Sequence, residues 1–300
     1  MSFRISFYSI LLFAFMASMA LGQGIAESKP LVRITPQTLQ QGDVALVELH
    51  GLKKNDKVRA TFSGAKLPLA YDGASETFYG LLGVDLEQAS GTYPLTISVD
   101  GNSLQLPVYV QEMDFGTRDL TLPPSMTQFD DETLARIKRE QNLMRAVWKK
   151  SSGRRLWDGP FTRPVPGEIT GPFGRRTVIN GEPRSPHSGV DLKAKKNDNI
   201  FCSNSGRVVL AQDLFFSGKT VVIDHGLGLF TMYFHLNEIL VKVGSLVKTG
   251  QIIGKAGSTG RSTGPHLHWG VRINNRRVDP MKLIETSSQF SKRATMAERP

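Results

Sequence analysis

From about Leu31 to Met113, apolar and polar residues alternate in short runs broken by turn residues roughly every 8–12 positions, and a period-two pattern of this kind confines the segment to β-structure. The runs are Val44–Leu49, Val58–Phe62, Phe78–Val84, Pro94–Val99 and Leu104–Val110, with Asp100-Gly101-Asn102 as a tight turn. They predict an immunoglobulin-like β-sandwich over residues 30–113. The pattern returns after Ile169, in Ile200–Ser203, Val208–Ala211, Thr220–Asp224, Phe230–His235, Gln251–Ile253 and His266–Ile273, and predicts an antiparallel β-sheet domain over 166–285. Residues 114–165 read as a linker. Within it, after Pro123-Pro124, Asp130 or Asp131 can cap a helix of about 130–150, and Leu134, Ile137, Met144 and Val147 fall at helical spacing. The fold class is therefore mainly β, with one linker helix. Residues 286–300 are polar and basic and read as a disordered tail.

The first 22 residues have the form of a secretory signal peptide: Arg4, an apolar run from Ile10 to Leu21, and small residues at Ser18 and Ala20. The run is shorter than the ~20 apolar residues a spanning helix needs. The expectation is an exported protein, periplasmic or at the cell wall, with no stable membrane anchor after cleavage. The single cysteine, Cys202, excludes an intramolecular disulfide and a cysteine-rich metal site, and in an oxidising compartment it is expected to be buried. The formal net charge is +10, and residues 151–300 hold 22 Lys+Arg against 11 Asp+Glu, so the surplus lies wholly in the second half. For an exported chain without a basic-aromatic platform, this fits an anionic cell wall better than nucleic acid.

Chemistry must then come from histidine and carboxylate. Of six histidines, five lie between positions 187 and 268; the sixth, His50, ends a strand run and reads as a turn residue. His187 stands four residues before Asp191, where Gly189 and Val190 suggest a loop entering a strand. In a strand, His266 and His268 share one face while Leu267 takes the other. His235 ends another strand run, and His225 reads as structural. Two imidazoles and a carboxylate commonly hold catalytic Zn²⁺ with a fourth position open. Each pair alone is more often structural; together, with a third histidine between them, they favour a metal site.

Four segments resemble, in order, the signature blocks of the lysostaphin/LytM-type zinc metallopeptidases: Gly171–Arg176, His187–Leu192, Met232–Leu236 and Gly257–Trp269. The resemblance spans about residues 167–282 and implies an endopeptidase cutting the peptide cross-links of bacterial peptidoglycan, with peptidoglycan stem peptides as partners. It makes His187, Asp191 and His268 the ligands of one Zn²⁺ per chain. It makes His266 the general base and gives His235 the orientation of water or the stabilisation of an oxyanion, while the sequence leaves open which of the two is the base. The loops 171–176 and 257–264 would wall a substrate groove, to which Phe173, Arg175, Ser262 and Thr263 are assigned. Tyr233 is assigned there as well, for its hydroxyl, but strand alternation places it on the face of His235, so packing beneath the site is an equal reading. The competing function is a catalytically inactive relative that binds peptidoglycan or activates an amidase. Residues 114–165 are expected to restrain activity. The bond cleaved and the oligomeric state are not legible.

Overall fold

The structure, a computed structural model, describes residues 30–121 and 129–297. The expected signal peptide and Pro123-Pro124 lie outside the described residues. Among the described residues no helix is long and apolar enough to cross a membrane.

The N-terminal strands are β1 (Leu31–Thr35), β2 (Leu39–Gln40), β3 (Val44–His50), β4 (Val58–Phe62), β5 (Ala65–Leu67), β6 (Ala70–Asp72), β7 (Thr77–Gly83), β8 (Gly91–Val99) and β9 (Asn102–Gln111). They form two sheets, ordered β1-β3-β7-β6 and β2-β9-β8-β4-β5. Ala45, Val47 and Leu49 of β3 pack against Phe62, Leu95, Ile97 and Val110 of the other sheet. The intervening Val44 and Leu46 join a second core together with Tyr79, Leu81 and Leu86. The central strands β3 and β7 of this sheet are thus covered on both faces, which is why they depart from strict alternation and are nearly continuous apolar runs. The Asp100-Gly101 turn takes left-handed backbone at both positions, φ 50° and 97°, the geometry a two-residue hairpin loop requires.

After β10 (Thr117–Leu120), helix α1 runs Asp131–Trp148, with the Asp130 carboxylate accepting from the Thr133 N–H at 2.8 Å as its N-cap. Its contact face is narrower than the spacing predicted. Leu134 is 49% exposed, while Met144, Val147 and Trp148 pack on Leu210, Val222, Phe230 and Met232.

The remaining strands are β11 (Ile169–Gly171), β12 (Arg176–Ile179), β13 (Glu182–Arg184), β14 (Gly189–Lys193), β15 (Asn199–Phe201), β16 (Gly206–Leu214), β17 (Gly218–Gly226), β18 (Leu229–Ile239), β19 (Leu246–Val247), β20 (Ile252–Ala256), β21 (His266–Ile273) and β22 (Arg276–Val278). Apart from β12 and β13, which form a small sheet with β10, they make one large sheet with the path β11-β14-β21-β18-β17-β16-β19. Trp269, Tyr233, Leu267 and Val221 fill the core on one face of this sheet.

Of the tail expected to be disordered, residues 286–297 belong instead to α2, Pro280–Ala297, and 298–300 lie outside the described residues. Its polar residues serve buried backbone groups. Thr286 Oγ1 donates to the Val44 carbonyl at 2.8 Å, and Ser287 Oγ accepts from the Phe161 N–H at 3.0 Å, so a polar composition is compatible with burial. Arg277 Nη2 adds ion pairs at 2.6 Å to both Asp85 and Glu87, fastening the sandwich to the large sheet.

Cys202 is fully buried, and burial pushes its thiol up to about 12, in line with the expectation for an unpaired cysteine. His225 is structural. Its Nδ1 faces the Ser205 carbonyl at 2.8 Å and its Nε2 the Thr231 hydroxyl at 2.7 Å, and burial lowers its pKa to about 4. Between pH 6.5 and 4 the unfolded chain therefore binds a proton that the folded chain refuses. Stability is complete above pH 6.5 and falls as pH drops towards 4, by about 3 kcal/mol for this group. Urea unfolding of chelator-treated protein should show a flatter pH dependence for His225→Gln than for wild type; identical slopes would contradict the assignment.

Candidate metal centre

Strands β14 and β21 are antiparallel, with Asp191 opposite His268 and Lys193 opposite His266. Period two then puts both histidines and the aspartate on one face. His187 comes from the loop before β14, and its ring reaches the same point. His187 Nε2 lies 2.9 Å from His268 Nδ1 and 3.0 Å from Asp191 Oδ1, and His268 Nδ1 lies 3.0 Å from that oxygen. These three residues are the group among the described residues whose donor atoms could hold a metal.

The chemistry of the donors supports such a site. His187 Nδ1 sits 2.9 Å from the Pro172 carbonyl, which can only accept, so Nδ1 carries the proton and Nε2 presents a lone pair. That lone pair faces another imidazole nitrogen and a carboxylate. Burial works against charge at Asp191, but the two imidazoles beside it, His187 and His268, outweigh it and hold the carboxyl well below the usual range. Burial lowers the pKa of His268 and so favours its neutral form. Three electron-pair donors about 3 Å apart repel unless a cation sits between them. Their spacing is slightly inside the roughly 3.3 Å edge of a tetrahedron with bonds of about 2.0 Å.

Two glycines make room for the centre. Gly171 of β11 lies beside Asp191, and a Cβ there would come within 2.2 Å of Asp191 Oδ2. A Cβ at Gly189 would meet the Trp269 carbonyl at 2.4 Å and the His268 ring at 2.7 Å.

Both remaining histidines of the cluster are anchored through Nδ1. His266 Nδ1 donates to the Gly264 carbonyl at 2.8 Å, and its Nε2 lies 3.7 Å from Asp191 Oδ1. His235 Nδ1 donates to the Thr259 carbonyl at 2.8 Å, and the two rings are 4.9 Å apart between centroids. His235 reaches this face through a bulge: the β17–β18 register shifts between Tyr233 and Leu236, and His235 has φ 62°. A non-glycine residue in this region costs about 1–2 kcal/mol. The His235 N–H bond to the Ser217 carbonyl, 2.8 Å, helps to fix it.

The bulge overturns one groove assignment. Beyond it, alternation no longer links Tyr233 to His235. Tyr233 is fully buried on the opposite face, where its hydroxyl accepts from the Ser203 N–H at 2.9 Å. Phe173 is also not a groove residue: it is 5% exposed and packs against Phe115 at 5.7 Å, with Gly42 closing the other side. Arg175 lies on the loop before β12, where its carbonyl accepts from the His187 N–H at 3.1 Å. Ser262 Oγ lies 3.3 Å from His266 Nδ1, and the neighbouring Thr263 is exposed. Sequence reasoning missed the carbonyls of Pro172, Thr259 and Gly264, because any residue type supplies a carbonyl. Only the glycine-rich, proline-marked composition of their loops hinted at an imposed backbone.

The family model of Peptidase family M23 matches residues 185–280. Peptidoglycan DD-endopeptidase ShyB of Vibrio cholerae is 44% identical over 97 residues, covering 32% of this chain and 23% of that protein. ShyA of the same organism is 43% identical over 98 residues, covering 33% and 23%. The chain thus spans about a quarter of the length of these curated relatives. A solved Pseudomonas aeruginosa structure described as a peptidase M23 is 30% identical, with TM-score 0.67, and the alignment covers 82% of this chain and 95% of that one. Coverage that wide takes in chain well before the metal-site strands, so the likeness is one of whole architecture and not of a shared motif alone: the chain belongs to peptidase family M23.

Proposed function

We propose that this chain is an exported zinc endopeptidase that hydrolyses the peptide cross-links of bacterial peptidoglycan. The observation that carries this reading is the convergence of His187, Asp191 and His268 within 3.0 Å of one another, beside two histidines whose Nδ1 protons are committed to backbone carbonyls. An inactive relative would have no use for five such groups oriented together. Family membership and the DD-endopeptidase relatives support the substrate class.

Zinc, when bound by His187, Asp191 and His268, supplies a Lewis acid and lowers the pKa of its water to roughly 7. The chain does the rest. With Nδ1–H held by Gly264, His266 offers Nε2 as the proton acceptor, and we assign it as the general base. Burial lowers His235 to about 4, and the neighbouring histidine charges act in the same direction. Its neutral ring therefore also presents a lone pair at Nε2, suited to orienting water; it becomes a donor to an oxyanion only after taking up a proton. Arg175, Ser262 and Thr263, on the loops flanking the donors, are proposed to contact the substrate backbone.

Digestion of purified murein sacculi with mass spectrometry of the products tests this reading. Un-crosslinked muropeptides should appear with the zinc-loaded chain and disappear on chelation. His266→Ala should lower the rate by at least about 10²-fold with zinc content unchanged. An unaltered muropeptide profile with wild type would refute the proposal.

A further inference from the structure

We propose that the trough between α1 and the site-bearing face of the large sheet is a subsite for a carboxylate of the peptide substrate, with Arg272 and Arg145 as its cationic walls. The proposal rests on the peptidase reading of the neighbouring centre, which it deepens.

The trough lies beside the metal site: in its lining, the Ser217 carbonyl accepts from the His235 N–H at 2.8 Å and the Phe216 carbonyl from the Arg261 N–H at 2.9 Å. His266, His268, Gly270 and Arg272 follow one another on the same face of β21, and β18 places Phe234, Met232 and Phe230 opposite the last three. Gly270 has no side chain of its own between His268 and Arg272, and the flexible end of Met232 lies over it. Four strand residues span about 13 Å, the reach of four residues of an extended peptide. At that distance α1 and the sheet enclose a cavity of about 270 Å³, lined by Gln141, Met144, Arg145, Trp148, Ser217 and Arg272 among others.

Its charge is unbalanced. The one carboxylate in the lining, Glu140, is already engaged: Oε1 accepts from Arg136 Nε at 2.7 Å and Oε2 from the Phe215 N–H at 2.8 Å. Arg272 lies over the Trp148 ring at 5.1 Å and donates through Nη1 to Asn275 at 3.0 Å. Among the described residues no carboxylate approaches it within 4.0 Å. Burial, and then the charge of Arg277, push its pKa down, against a smaller opposing influence of Asp85, which is itself paired with Arg277. Among the described residues, Arg145 donates to Asn142 Oδ1, at 3.0 Å, and meets no carboxylate within 4.0 Å. A half-buried guanidinium without a counter-charge is costly, and a carboxylate is the partner its fork geometry fits.

Isothermal titration of the full chain with un-crosslinked stem peptides, which offer no cross-link to cut, tests the subsite when each peptide is supplied both as free acid and as carboxamide. Wild type should bind the acid about tenfold more tightly, the equivalent of one charge-assisted hydrogen bond. Arg272→Gln should abolish that preference, Arg272→Lys should retain part of it, and Arg145→Gln, at an exposed position, should reduce it. Equal binding of acid and amide by wild type, or a preference that survives both glutamine substitutions, would overturn the proposal. Sacculus digestion run in parallel reports separately on the peptidase reading.

Discussion

Alanine in place of His187 is expected to abolish metal binding and hydrolysis together while leaving the fold intact. His187 is the one proposed ligand that does not come from the sheet; it is held by the Pro172 carbonyl at Nδ1 and by backbone bonds to Arg175 and Gly174. Removing its ring leaves two donors, His268 and Asp191, on neighbouring strands that remain paired in register. Two ligands do not retain Zn²⁺ against solvent as three do, and the loss of several kcal/mol of Lewis-acid stabilisation corresponds to about three powers of ten in rate. Metal analysis of dialysed protein should give one zinc for wild type and none for the variant. Thermal unfolding gives an independent readout, because a ligand present at 100 times its Kd stabilises the folded state by about 2.7 kcal/mol. Zinc should therefore raise the Tm of wild type and leave that of His187→Ala unchanged. A variant that keeps its zinc would remove His187 from the ligand set.

The parts of this centre that could be read from the sequence are those fixed by strand periodicity. His266 and His268 share a face because nothing interrupts β21, and Asp191 joins them by simple antiparallel register. Periodicity failed where the backbone leaves it. One extra residue in β18 turns His235 into the site and Tyr233 into the core, and no side-chain pattern around Tyr233-Phe234-His235 marks that insertion. Phe173 looked like a groove residue because it lies between Pro172 and Gly174, but its burial depends on Phe115 and Gly42, partners far away in sequence. The C-terminal helix was invisible for a related reason: Thr286 and Ser287 are polar residues buried by hydrogen bonds to Val44 and Phe161, and composition cannot anticipate such partners. The trough beside α1 likewise depends on how a helix outside the family-matched region is seated on the sheet.

Gly171→Ala is expected to approach the effect of removing a ligand, through a single methyl group and without touching any donor. The backbone at Gly171 is not in the left-handed region, so alanine is conformationally acceptable and the whole effect is steric. Its Cβ would lie 2.2 Å from Asp191 Oδ2, 2.8 Å from Cγ and 2.9 Å from Cβ, contacts that require movement. The Asp191 backbone has little room to retreat, because β21 holds β14 from the other side through the pairs Val190–Trp269, Asp191–His268 and Leu192–Leu267. The carboxylate must therefore rotate away from His187 and His268 and give up the geometry in which it binds metal. Gly270→Ala on β21 is the matched control. There the new Cβ meets Met232 Cε at 2.8 Å, the free end of a flexible side chain that can move aside. Zinc affinity and muropeptide release should fall on the order of 10²-fold or more for Gly171→Ala and change little for Gly270→Ala, with circular dichroism of both unchanged. Wild-type zinc affinity in Gly171→Ala would mean that the strand yields, and that Asp191 is positioned by something other than its packing between β11 and β21.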